Sequence, residues 1–146
     1  MRIVQYKGRS PISKAIQWQT RSVYSHSALM LPDDSIIEAW HVGGVRHEPH
    51  PLTGHEPGTR IEVYVVDTTP TQDYQIERFV KSQVGKGYDF RAIARFLTRE
   101  KGDNPERWFC SELVFAGFQH VGINLLERIE AWKVSPALIA LSPYLK

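Results

Sequence analysis

Cys110, the only cysteine in the chain, sits in Trp108-Phe109-Cys110-Ser111-Glu112-Leu113-Val114, where an aromatic run gives way to apolar residues at helical spacing. Leu113, Val114, Phe118 and Val121 recur at three- and four-residue intervals and Gly122 closes the pattern, which places the thiol in the first turn of a helix. There the positive end of the helix dipole and the unpaired first-turn N–H groups favour thiolate over thiol, and the same N–H groups can receive a developing oxyanion. The plain alternative is a cysteine that packs as a small buried hydrophobe. A nucleophile also needs a base.

His26 and Glu38 are the candidates for that base and for the group that orients it. His26 opens the strand-like run to Leu31, and Glu38 lies in the following run Ser35 to Trp40, with Pro32-Asp33-Asp34 as turn chemistry between them. If Leu31 pairs with Ser35 across a three-residue turn, Ala28 faces Glu38 and His26 is its diagonal neighbour on the same face of the sheet. A two-residue turn pairing Pro32 with Ser35 puts Glu38 on the opposite face unless a bulge intervenes. Both registers are compatible with the residues.

The elements that must hold these groups alternate between strand and helix patterns. Met1 to Lys7 alternates as a strand; Ser10-Pro11 is an N-cap followed by proline at the first helical position, opening a helix to about Thr20. His41 to Arg60, with Gly43, Gly44, Pro49, Pro51, Gly54, Pro57 and Gly58, is a long loop with room for a short strand around Val45. Arg60 to Asp67 is an alternating, β-branched strand, and Thr71 to Val84 a helix closed by Gly85-Lys86-Gly87. Asp89 caps a further helix with Phe90, Ile93, Ala94 and Leu97 inward, Lys101 to Glu106 is a polar loop, and Ser135-Pro136 starts a last short helix. The class expected is α+β, a small antiparallel sheet packed against helices.

At 146 residues and 42% hydrophobic content the chain fits one domain, residues 1–146. A formal net charge of +2 gives no argument for nucleic acid, and a single cysteine excludes an intramolecular disulfide framework and a multi-cysteine zinc site. No stretch reaches the roughly 20 apolar residues of a membrane span, and Met1 to Lys7 lacks the apolar run of a signal peptide. The expectation is a cytoplasmic protein without a transmembrane segment, with peripheral membrane contact left open.

Tyr24-Ser25-His26-Ser27-Ala28-Leu29, Ile36-Ile37-Glu38-Ala39 with Gly44-Val45-Arg46, Gly87-Tyr88-Asp89, and Phe109-Cys110-Ser111-Glu112-Leu113-Val114 together resemble the NlpC-type papain-like cysteine peptidases. The histidine precedes the cysteine, as in their circularly permuted, YiiX-like branch, related to lecithin:retinol acyltransferase-like proteins. The resemblance implies Cys110 as nucleophile, His26 as base and Glu38 as the residue orienting the imidazole. Glutamate in the third position stands where many unpermuted relatives have histidine, asparagine or glutamine; a carboxylate there fixes the tautomer and stabilises the imidazolium. Such a pairing implies a thiol pKa lowered to roughly 3.5 to 7.5. Tyr88 is a candidate oxyanion-hole phenol or a core ring, and Tyr24 and Trp108 are candidate walls of the cleft or packing residues.

Arg91, Arg95 and Arg99 form a basic stripe that reads as a solvated face or as a dock for acidic groups. His41, His47, His50 and His55 crowd the long loop, but no pair has the helical spacing of a zinc site, so no metal and no cofactor is expected. The function expected is a thiol hydrolase, a peptidase/amidase or acyl hydrolase/acyltransferase, acting on a small peptide or lipid-linked amide or ester through an acyl-enzyme. The alternative is a non-catalytic lipid- or acyl-binding module on the same scaffold. A redox role lacks a second cysteine to resolve a disulfide.

Overall fold

The computed structural model describes residues 1–92 and 106–146. Its frame is a five-stranded antiparallel sheet of β1 (Arg2–Lys7), β2 (His26–Met30), β3 (Ile36–Trp40), β4 (Gly44–Glu48) and β5 (Arg60–Val65), in the order β4-β3-β2-β1-β5. Helix α1 (Pro11–Thr20) joins β1 to β2, and α2 (Pro70–Ser82) follows β5. A small parallel pair, β6 (Gly87–Tyr88) and β7 (Arg107–Trp108), then leads into α3 (Cys110–Gln119), and α4 (Pro136–Ile139) closes the chain.

The helix ends carry the expected signals. Ser10, Thr69 and Ser135 each accept a backbone N–H from the first turn and each precedes proline. The run around Val45 is a full strand, because Gly43 and Gly44, both at positive φ, turn the chain back on β3. Gly87, expected only to help close the preceding helix, forms with Tyr88 a strand paired with Arg107-Trp108. The helix expected after Asp89 begins at Arg91 and Ala92, and its remainder, with Ile93, Ala94, Leu97, Arg95 and Arg99, lies outside the described residues.

Strand alternation divides the burial between two faces. Ile3, Leu29, Ile37 and Ala39 face the helices and join Phe115 and Phe118 of α3 and Ile76 and Val80 of α2 in the main core. Val4, Tyr6, Ala28, Met30 and Ile36 form a second cluster on the other face. There the Tyr6 hydroxyl donates to the Pro51 carbonyl at 2.9 Å, tying the loop after β4 over the sheet. Gly117 lets α3 lie close to the sheet, since a Cβ there would meet Leu29 Cδ1 at 3.1 Å and Val80 Cγ1 at 3.3 Å. Among the described residues no helix is long and apolar enough to cross a membrane.

Candidate active site

The β2–β3 hairpin takes the first of the two registers. Leu31 N–H donates to Ser35 O at 2.8 Å across a turn in which Asp34 has φ 68°, and Leu29 faces Ile37. His26 and Glu38 therefore share the face away from the helices, and His26 Nε2 lies 2.6 Å from Glu38 Oε2. Glu38 is fully buried. Its other oxygen, Oε1, accepts two N–H bonds from Arg46, at 2.9 Å from Nε and 2.6 Å from Nη2. Arg46 stands directly opposite Glu38 in the β3–β4 ladder, and its guanidinium lies over the Trp40 ring at 4.5 Å.

A second imidazole completes this network. His55 Nε2 lies 3.4 Å from Glu38 Oε2, and its ring stacks on Tyr6 with centroids 4.3 Å apart and planes within 6°. Tyr6 and Trp40 in turn present edges to the His26 ring at 4.9 and 5.3 Å. The His26 imidazole is thus clamped between two aromatic rings and one carboxylate, which removes most of its rotational freedom.

Cys110 occupies the first turn of α3, as its sequence context predicts. The N–H of Phe109 donates to the Glu112 carboxylate at 3.1 Å, closing the helix start, and the Ser111 hydroxyl donates to Val134 O at 2.6 Å. The backbone N–H groups of Ser27, Ser111 and Cys110 itself lie close enough to the sulfur to favour its charged form. The Ser27 contact follows from the hairpin: the β2–β3 ladder covers Leu29↔Ile37 and Met30↔Ile36, whereas β3–β4 pairing runs on to Trp40. Alternation points the Ser27 N–H toward β3. Where the strands diverge, that group meets the sulfur. Cys110 thereby abuts the His26–Ser27 peptide, approaching from the helix side while the imidazole hangs on the other.

The charge states differ from one sequence expectation. Burial pushes the Cys110 thiol up to about 12, against the lowering effect of the Ser27 and Ser111 N–H groups. The expected depressed thiol is therefore corrected: the site is dry, and desolvation outweighs the donors. Burial also lowers His26 below its ordinary value, with Glu38 opposing. Burial works against the Glu38 charge too, but His26 and His55 outweigh it and hold the carboxyl well below its usual range. The resting combination is a neutral thiol and a neutral imidazole beside a carboxylate.

The other candidates separate. Tyr88 is buried and lines a narrow cleft with His26, Trp40 and Ser13. Its hydroxyl has no hydrogen-bond partner among the described residues, and burial, with Cys110 nearby, holds it well above the usual tyrosine range. Tyr24 precedes β2 and commits its hydroxyl to Glu62 and Tyr64 rather than to the thiol. Trp108 turns its indole N–H to Gln83 Oε1 at 3.2 Å and packs edge-on against Phe79, a core contact. Of the loop histidines, His47 bonds Ser35 Oγ at 2.8 Å and His50 Nδ1 accepts the Leu52 N–H, while His55 alone joins the Glu38 network. Arg46 was readable from hairpin arithmetic, since a three-residue turn His41-Val42-Gly43 that pairs Trp40 with Gly44 sets it across from Glu38. No local pattern marks His55 or the Ser27 N–H, whose positions depend on long-range packing.

Residues 3–133 match the permuted papain-like amidase enzymes, the YaeF/YiiX, C92 family. In fold, the chain is similar to the crystal structure of the metalloprotein YiiX from Escherichia coli O157:H7, with a TM-score of 0.76 at 24% identity over 99% of this chain and 93% of that one. No curated protein matches the sequence significantly.

Proposed function

The chain belongs to the permuted papain-like amidase family, and from that premise we propose that it is a thiol amidase in which Cys110 is the nucleophile, His26 the base and Glu38 the residue that orients it. The observation that carries this reading is the buried His26–Glu38 pair, closed through the far nitrogen, Nε2, in a chain whose helix-start Cys110 is near enough to the Ser27 N–H to feel it. Nδ1, the ring nitrogen nearer the main chain, is left to serve the thiol.

With both partners neutral at rest, the proton moves when substrate arrives. His26 Nδ1 takes the Cys110 proton as Sγ attacks the amide carbonyl carbon, and the imidazolium formed is stabilised by Glu38. In this reading the Ser27 and first-turn N–H groups receive the oxyanion, with the Tyr88 hydroxyl as a further donor. The C–N bond then breaks as His26 returns the proton to the leaving amine, giving a thioester on Cys110. Water, deprotonated by His26, resolves it to a carboxylic acid and the free thiol. Arg46 and His55 hold Glu38 in place.

The test is mass spectrometry of the protein quenched during turnover of amide substrates. A thioester adduct on Cys110 is expected, with turnover lowered about 1,000-fold or more in Cys110→Ser and in His26→Ala. Cys110→Ser retaining turnover within about tenfold of the parent would sink the assignment. An acyl-binding module without turnover would bind ligand yet give no adduct.

A metal-dependent reading draws on the description of YiiX as a metalloprotein and on His26, Glu38 and His55, whose donor atoms lie within 4.8 Å of one another. Their arrangement does not fit an ion. Two donors on a tetrahedral ion with bonds near 2.1 Å sit about 3.4 Å apart, whereas His26 Nε2 and Glu38 Oε2 close to 2.6 Å as a hydrogen bond. Arg46 moreover already balances the one negative charge. Dialysis against EDTA is expected to leave turnover unchanged; loss of activity restored by added zinc would reverse this reading.

A further inference from the structure

The cleft beside His26 continues away from the reacting groups. Ser10, Ser13, Trp40 and His41 line both the narrow cleft holding His26 and Tyr88 and a second one that reaches Gly8, Arg9 and Thr59. Gly8 and Arg9 are shared in turn with a third, wider cleft walled by Lys14, Gln17, Gly58 and Arg60. The three clefts therefore share walls along α1, from the imidazole to a cationic end.

That end is poor in compensating charge. Arg9, Lys14 and Arg60 are exposed, and none of their side chains has a hydrogen bond or ion pair among the described residues. Lys7, also on the wall, differs: its charge is balanced by Glu62. No acidic residue lines the wide cleft, and Glu56 is the acid of the adjoining one. The loop is shaped to bring Arg9 there, since a Cβ at Gly58 would lie 2.6 Å from Arg9 Nη1. Three unbalanced cations converging on one concave wall raise the potential for an anion in it, and guanidinium forks suit carboxylate or phosphate oxygens.

We propose that Arg9, Lys14 and Arg60 form an anion subsite that selects amide substrates bearing a carboxylate or phosphate group beyond the scissile bond. The inference rests on the amidase reading for its meaning as a substrate subsite, but the anion site itself is measurable without turnover. Its place beyond the adjoining cleft sets the anionic group apart from the carbonyl, so the subsite fixes orientation as well as charge.

The experiment is titration calorimetry, with amide chemical shifts as a second readout, on the Cys110→Ser protein at low salt. The probes are glutarate, inorganic phosphate and the uncharged glutaramide. The anions are expected to bind and to shift Gly8, Ser22 and Gly58, and glutaramide to do neither. Each of Arg9→Gln, Lys14→Gln and Arg60→Gln should weaken binding about 3-fold, and the triple variant about 20-fold or more. Arg78→Gln, a cation elsewhere on the surface, should change nothing. Equal binding of glutaramide, or no loss in the triple variant, overturns the subsite. So does binding to vesicles containing phosphatidylglycerol with none to either soluble anion, which would make the patch a membrane-facing surface. Anion binding that survives while every amide fails to turn over would sink the amidase reading alone.

Discussion

At the residue scale the site is defined by what surrounds Glu38. One carboxylate accepts from Arg46 on one oxygen and faces two imidazoles on the other. Because burial lowers His26, and the base must be neutral to accept a proton, activity should fall on acidification with a midpoint below 6.5. Glu38 acts against that lowering, so Glu38→Gln should move the acid limb to still lower pH. It should also cut kcat about 100-fold or more, since the imidazolium loses its counter-charge. A pH–kcat profile of the two proteins decides this; a limb at or above 6.5, or one that does not move, contradicts a base oriented by this carboxylate. The sequence puts His26 beside Glu38 in only one of the two hairpin registers its residues allow, and the structure adopts that one. The charge state of Cys110 could not be read that way. Its helix-start position argues for thiolate, and only the packed interior reveals that desolvation prevails.

At the scale of elements, the hairpin from β3 to β4 carries the orienting group, and its turn is the weak point. Gly44 has φ 79° and a Cβ there would lie 2.0 Å from Lys86 O, while Gly43, at φ 87°, has open space. Gly43→Ala should cost about 1 kcal/mol from backbone strain alone. Gly44→Ala should cost about 3 kcal/mol and lower turnover too, because β4 must shift and Arg46 with it. Urea midpoints for both variants test this; equal costs would mean that the Lys86 segment yields freely. The strands and caps were legible from alternation and from serine-proline or threonine-proline pairs, which act locally. Gly87-Tyr88 was not, for two residues have no period, and their strand exists only because Arg107-Trp108 lies alongside. The β2–β3 divergence that frees Ser27 is equally silent in the sequence, being set by the docking of α3.

For the whole molecule, the buried ionisable groups tie stability to pH in one direction. His26 is lowered from 6.5, so on acidification the unfolded chain takes up a proton at this residue before the folded one does. Glu38 is lowered from 4.5, with the same consequence at more acid pH. Both contributions are complete at neutral pH; the first is lost as pH falls below about 6.5 and the second as it falls below about 4.5. Urea midpoints should decline in those two windows, and His26→Gln should remove the upper one; a midpoint that rises between pH 7 and 5.5 would contradict the buried neutral imidazole. The permuted order of the chain has a further consequence. His26, Glu38 and Arg46 all come from one short stretch, whereas the Cys110 sulfur arrives from far downstream on a helix that must seat before it nears them. A chain that has formed its hairpins but not docked that helix holds an ordinary, unpartnered thiol. On the amidase reading proposed above, turnover therefore begins only once that helix has seated, even though the exposed thiol before it ionises more readily than the buried one.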